Sequence, residues 1–372
     1  MLEEFSLRFA LWWRSRGSGV TAHLARRSYE RPPYSPAIGS IRVGAVQMRP
    51  RPIRRAWEFA DHAYEMARAA VREGAEVVVF PDHVSLPLLT LVPGLGDAVT
   101  ANASLEEALA ALGEAEEPEE GGEGISVADV VAVATPALAR VYRTTFATLA
   151  RRFRVHIAAG STMLAERDGR VLARCHLFGP SGRLLEAQAK THLTPLERRW
   201  GLGSGDELRV VDTAVGRVAL TGTMDSAFFE PFRLLDEAGA EVVLQASAEV
   251  GEPEPWRAMG GLWARVQEAC LYGVQGALVG EALGLRFGGM AAVYAPLALT
   301  PEGDGVLAAA RSADADEVVV ADLDIGALRQ LRRSRGVRRN RRLIGRYLPE
   351  LYTRPWPWPE EQGRGTPGAG AG

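Results

Sequence analysis

Cysteine is almost missing from this chain: there are two in 372 residues, Cys175 and Cys270. Two thiols exclude a disulfide framework and fit a reducing compartment, so a cytoplasmic location is expected. No apolar run approaches the ~20 residues of a membrane-spanning helix. The stretch Phe5 to Trp13 is apolar but short. It is interrupted by Arg8 and follows Glu3 and Glu4 where a signal peptide would carry basic residues, so it reads as a short amphipathic helix. Charge of one sign is not in excess either. A net charge of −3 argues against a chain that binds nucleic acid by bulk electrostatics. The six histidines are scattered without zinc spacing. The glycine-rich GLGSGD at 201–206 has no following helix and makes a poor phosphate loop. Neither a metal nor another cofactor is expected.

What is present is an alternation of strands and helices. Residues 1–40 read as an Arg-rich extension ending in the loop-like RPPYSPAIGS. IRVGAVQ, 41–47, is the first strand. A helix follows, with Trp57, Ala60, Ala63, Tyr64, Ala67, Ala70 and Val71 at helical spacing, and Gly74 stops it. EVVVF, 76–80, is a strand apolar on both faces, which completes a βαβ unit. The acidic segment 106–124 reads as a solvated surface insertion. Ser126 or Asp129 caps a long helix ending near Arg152, with Pro136 marking a kink or a delayed start. Strands at 155–162, 173–180 and 183–190 follow, then a pair at about 209–222, and further alternation to about 324, for about a dozen strands and five helices. The helix WRAMGGLWARVQEACLY, 256–272, places Cys270 mid-helix, and Cys175 falls mid-strand; both read as small buried hydrophobes. The basic segment 329–346 could touch RNA or an acidic partner, but pairing with acidic surface is the simpler reading. The tail 353–372 is rich in Pro and Gly.

Three strand ends carry polar residues able to do chemistry: VVVFPDH supplies Asp82, AKTHLTPLE supplies Lys190 and Glu197, and GRVALTGTMDSAFFEP supplies Thr223 and Asp225. A carboxylate, an ammonium and a hydroxyl suggest a base, an electrostatic clamp and a nucleophile. Such residues are common at strand ends, so spacing alone carries little weight.

The order and wording of these segments add more. From about Ile41 to Tyr352 the chain resembles the nitrilase, or carbon–nitrogen hydrolase, superfamily. GAEVVVFPD resembles the motif that supplies a glutamate base, KTHLTPLERRWGLGSGD the lysine motif, and GTMDSAFFEP the nucleophile motif, where the family has cysteine. RVQEACLYGVQGALVG and VVVADLDIGALRQLRR resemble later segments. The resemblance implies an αββα sandwich of two packed sheets with helices outside, a domain over 41–352, and a homo-oligomer, dimer or higher. It also implies a small amide or nitrile as ligand, with no nucleic acid. By position Asp82 would be the base, Lys190 the oxyanion clamp, Thr223 the nucleophile and Glu197 a second carboxylate. Asp225 reads as a turn former of the elbow and Glu230 as an ion-pair residue. Loops 84–124 and 280–289 would set specificity.

Two positions depart from that pattern. A threonine hydroxyl ionises negligibly beside a cysteine thiol, whose pKa is about 8.5, and its β-branch crowds the line of attack. Aspartate at 82 withdraws the carboxylate by about 1.5 Å, one C–C bond, and a misplacement of that order can cost ~100-fold. His83 could relay protons only if the chain after Phe80 turns it inward, since strand neighbours face opposite ways; His192 is a second nearby imidazole. Two functions follow: an amide or nitrile hydrolase without the usual cysteine chemistry, or a catalytically silent relative that binds or assembles.

Overall fold

The computed structural model describes residues 11, 13–29, 39–96, 105, 107, 126–252, 254, 259–335 and 340–353, apart from the side chains of 341, 350, 351 and 353. The acidic insertion at 106 and 108–124, most of the Phe5–Trp13 stretch, the loop at 30–38 and the tail after 353 lie outside them.

In chain order the elements are α1 (Gly17–Ala25), β1 (Ser40–Met48), α2 (Ala56–Arg72), β2 (Val77–Val79), α3 (Val127–Phe153), β3 (His156–Ala165), β4 (Val171–Phe178), β5 (Leu184–Ala189) and α4 (Pro195–Arg199). Then come β6 (Val210–Thr213), β7 (Gly216–Thr221), α5 (Phe229–Glu237), β8 (Val242–Ser247), α6 (Ala264–Ala269), β9 (Tyr272–Ala282), β10 (Leu285–Gly288), β11 (Ala292–Tyr294), β12 (Val306–Ala309), β13 (Glu317–Asp324), α7 (Ile325–Ser334) and α8 (Arg341–Thr353). Nine of the 13 strands form one hydrogen-bonded path, β5-β4-β3-β2-β1-β9-β8-β7-β6; off it, β13 pairs antiparallel with β1, β10 and β11 pair with β9, and β12 pairs with β11. Its two halves fold face to face as an α/β sandwich. Cys175 Sγ of β4 lies 3.8 Å from the Thr221 carbonyl of β7. A Cβ on Gly276 of β9 would fall 2.6 Å from Val79 O of β2, so bare glycine lets the two backbones pass in contact.

Each half is covered by helices for the reason their periodicity gives. Phe59, Ala63 and Tyr64 of α2 and Val141, Phe146 and Leu149 of α3 form an apolar stripe over the first half. Phe232 and Leu235 of α5 and Val266 of α6 cover the second half with Ala219 and Val243. The long helix α3 begins at a capping box in which Ser126 Oγ accepts the Asp129 N–H and the Asp129 carboxylate accepts the Ser126 N–H; it runs through Pro136 without ending. No described helix is long and apolar enough to cross a membrane.

Three local readings are corrected. The N-terminal region holds α1, which its sequence GSGVTAHLA hides behind two glycines. Val20 and Leu24 are fully buried, so tertiary packing overrides propensity. Residues 256–258 lie outside the described set, and the helix read over 256–272 has non-helical backbone at Gly261 and ends at Ala269. Cys270 therefore terminates that helix in the left-handed region, φ 51°, instead of sitting within it, although it is buried as expected. Apart from these readings, the described residues from Leu331 onward, α8 among them, group separately from those up to Gln330.

Candidate active site

The central strands β1, β2 and β3 run parallel, as do β7, β8 and β9. In such sheets the crevice outside the carboxyl ends of the strands is the usual place for a site. The residues just past β2, β5 and β7 all meet there. The chain after β2 turns sharply at His83, φ 49°, and packs backbone to backbone on β3 at Gly160, φ +67°, where a Cβ would fall 1.8 Å from Pro81 O. The Asp82 N–H donates to Ser247 O of β8 at 3.2 Å. This close approach carries Asp82 to the centre of the crevice.

Asp82 is fully buried and accepts four hydrogen bonds. Ser161 Oγ and the His83 N–H donate to Oδ1; Lys190 Nζ, at 2.5 Å, and Thr223 Oγ1, at 2.8 Å, donate to Oδ2. The expected 1.5 Å shortfall of aspartate is thus absent: the turn at His83 and the glycine contact move the backbone inward far enough for direct contact. Thr223 Oγ1 also accepts the Ala248 N–H at 2.9 Å, so its proton and one lone pair are both engaged. Of Asp82, Lys190, Glu197 and Thr223, only Thr223 is not fully buried.

Lys190 Nζ bridges Asp82 and Glu197 Oε1. The same Glu197 oxygen accepts from His83 Nε2–H at 2.7 Å, and Oε2 accepts the Thr194 N–H at 2.8 Å and the Thr194 hydroxyl at 3.0 Å in the capping box of α4. A carboxylate only accepts, which fixes the imidazole proton on Nε2. Burial works against all three charges. At Asp82 and Glu197 it would raise the carboxyl, but the adjacent Lys190 ammonium, together with His83 and the hydrogen bonds to the carboxylates, outweighs it and holds both below the usual carboxylate range. At Lys190 burial would lower the ammonium, and the two carboxylates push it well above the ordinary lysine value instead. His83 thus does enter the cluster, turned by its own left-handed backbone, but its imidazole hydrogen-bonds Glu197 rather than Asp82 or Thr223. Asp82, His83 and Glu197 offer three ligand atoms within 4.8 Å of one another, a metal-like set. Lys190 Nζ already bonds both carboxylates, so a cation stands there and a metal does not fit.

The nucleophile turn is held by Asp225. Its Oδ2 accepts the Gly222 N–H at 2.8 Å, while Oδ1 accepts the Thr191 N–H and hydroxyl and the His192 N–H at 3.1, 2.7 and 2.8 Å. One carboxylate ties the elbow to the end of the lysine strand. His192 leans on that carboxylate and stacks on Phe228, away from the cluster. Gly222 is required because the lysine stem lies against it: a Cβ there would fall 2.5 to 2.8 Å from Lys190 Cε, Cδ and Cγ. Sequence reading missed Ser161, whose signal is a polar residue inside the apolar HIAAGST strand, and the Ala248 N–H, a backbone group without a side-chain signature.

A family model described as "Carbon-nitrogen hydrolase" matches residues 42–333. The chain belongs to the carbon–nitrogen hydrolase family. This carbon–nitrogen hydrolase-family chain is 29% identical over 203 residues to the probable hydrolase YhcX of Bacillus subtilis (strain 168), a match covering 53% of the chain and 39% of that relative's length. Among solved structures it is similar to the amidase from Nesterenkonia sp. AN1. A cysteine-to-alanine mutant of that amidase in complex with butyramide gives a TM-score of 0.58 at 18% identity, covering 84% of this chain and 98% of that one. A form with the acetamide moiety of fluoroacetamide added covalently at the active-site cysteine gives 0.57 at 18% identity, covering 86% and 100%. At such identity the likeness shows the fold of this family member, nitrilase-like and α/β, and nothing finer.

Proposed function

We propose that the crevice binds a small amide beside Thr223 and does not hydrolyse it by nucleophilic attack. The observation that carries this is the double engagement of Thr223 Oγ1, donor to Asp82 Oδ2 and acceptor from the Ala248 N–H. To attack, the hydroxyl would have to pass its proton to Asp82. That carboxylate already accepts four hydrogen bonds and is held acidic by Lys190. An alcohol is about as weak an acid as water, with a pKa of about 15.7, against about 8.5 for a thiol. At about 1.36 kcal/mol per unit, the transfer to the same carboxylate costs about 10 kcal/mol more than it would from cysteine. The charged cluster beneath Thr223 is then a fixed polar floor against which an amide can be oriented.

The test compares the wild type, Thr223→Cys and Thr223→Val. Calorimetric titration with butyramide should show binding by the wild type, and ammonia release should stay at background. Thr223→Cys should gain a covalent adduct with fluoroacetamide, seen as a mass increase, because Asp82 Oδ2 already reaches position 223. Steady ammonia release by the wild type that disappears in Thr223→Val would overturn the reading in favour of threonine catalysis.

A further inference from the structure

A second site lies outside the crevice, on the helical cover. Trp13, Arg14, Arg16, Arg54, Arg55 and Trp57 line a cleft of about 410 Å³ between the start of α1 and the start of α2, a volume within the range of small-molecule sites, about 300–1,000 Å³. Among the described residues its lining includes four guanidinium groups, two indoles and no carboxylate. Trp13 is 58% and Trp57 38% exposed. Arg16 lies over the Trp13 ring at 3.9 Å, and Arg14 donates to a backbone carbonyl, Leu91 O, at 3.4 Å. Arg54 and Arg55 are exposed and form no ion pair among the described residues. The nearest acid in sequence, Glu58, accepts the Arg54 N–H at 2.9 Å and is not part of the lining. Nearby, Arg27 pairs with Asp61, and Arg68 with Glu65. A concentration of positive charge in one concavity attracts an anion.

Two further features agree with an anionic occupant. The cleft sits at the first turns of both α1 and α2, whose N-caps are Arg16 and Arg55, and neither helix receives a side-chain cap. Their first N–H groups and the positive ends of their dipoles add to the guanidinium field. The indoles select among anions. Guanidinium forks suit phosphate oxygens, and an exposed indole suits a flat ring. A ligand that uses both has charge at one end and an aromatic ring at the other. We propose that this cleft binds a nucleoside polyphosphate, with phosphates on Arg54 and Arg55 and the base against Trp57. The proposal does not involve Thr223 or the crevice.

The experiment titrates the full chain with ADP, pyrophosphate and adenosine, followed by calorimetry and tryptophan fluorescence. ADP should bind saturably, with half-saturation below about 1 mM, and adenosine should not bind. Arg54→Ala with Arg55→Ala should weaken ADP and pyrophosphate alike, by about 10-fold or more. Trp57→Leu should weaken ADP about 10-fold while changing pyrophosphate less than about 2-fold, in line with stacking energies measured for bases. Thr223→Val should leave ADP binding unchanged. Both arginines are exposed, and an unchanged thermal midpoint verifies that the double variant is folded. Absence of saturable ADP binding overturns the proposal. So does an arginine variant that binds ADP as the wild type does, or pyrophosphate matching ADP with Trp57→Leu affecting neither.

Discussion

Replacing Lys190 with methionine isolates the electrostatics of the crevice. The ammonium is 1% exposed, and its two partners, Asp82 and Glu197, are 0% and 1% exposed. Methionine matches the stem in length and removes the charge. What remains is a pair of buried carboxylates with their shared cation gone. Breaking a buried pair by removing one partner costs about 3–5 kcal/mol, a large share of the ~5–15 kcal/mol that holds most domains folded. The pH dependence gives the sharper test. In the wild type both carboxyls lie below their unfolded values of about 4. Their stabilisation is therefore complete above that range and is lost only as pH falls toward the lower folded values. The raised lysine contributes fully at any pH below its unfolded value of about 10.4, so wild-type stability from this cluster is flat between pH 5.5 and 8. In Lys190→Met the burial that opposes ionisation is no longer offset. At least one carboxyl then rises above its unfolded value and takes up a proton in the folded state. A folded state that binds more protons than the unfolded one loses stability as pH rises. Urea unfolding at pH 5.5 and pH 8 should therefore show a larger deficit for the variant at pH 8. A deficit below about 1 kcal/mol at pH 8, or an equal deficit at the two pH values, would refute the account of Lys190 as the counter-ion of two ionised carboxylates.

Other substitutions test the scaffold around this cluster. Gly160→Ala places a Cβ against Pro81 O at a backbone angle side chains avoid. It should lower the thermal midpoint, cost about 1–3 kcal/mol or more, and abolish amide binding by moving Asp82. Asp225→Ala removes the acceptor for the Gly222, Thr191 and His192 backbone donors. It should cost about 1–3 kcal/mol per buried donor left unsatisfied, read by thermal scan, and should weaken butyramide binding in the same titration.

The sandwich was legible because its strands and helices carry strong periods: nearly continuous apolar strands such as EVVVF and a regular stripe on α2 leave few alternatives. The strand-end residues were legible as types, and the family resemblance gave them an order. What sequence did not carry is distance. One methylene fewer at 82 argues for a gap, and only the left-handed turn at His83 and the bare backbone of Gly160 show how it is closed. His83 could not be placed by strand alternation, because alternation stops where the turn begins. Ser161 and the Ala248 N–H escaped because one resembles any strand serine and the other has no side chain to read. The helix α1 escaped because its two glycines outweigh, in a short window, the two residues that bury it.

The hydroxyl of Ser161 occupies the space beside Asp82 into which a longer acid would extend. A glutamate at 82 adds about 1.5 Å of chain, directed at Ser161 on one side and at Lys190 and Thr223 on the other. Positions 82 and 161 are thereby interlocked in size. A longer carboxylate at 82 calls for a smaller residue at 161, and either change alone leaves the cluster overfilled or under-bonded. A thiol at 223 is different: it asks for no new room, since the carboxylate oxygen already stands within reach.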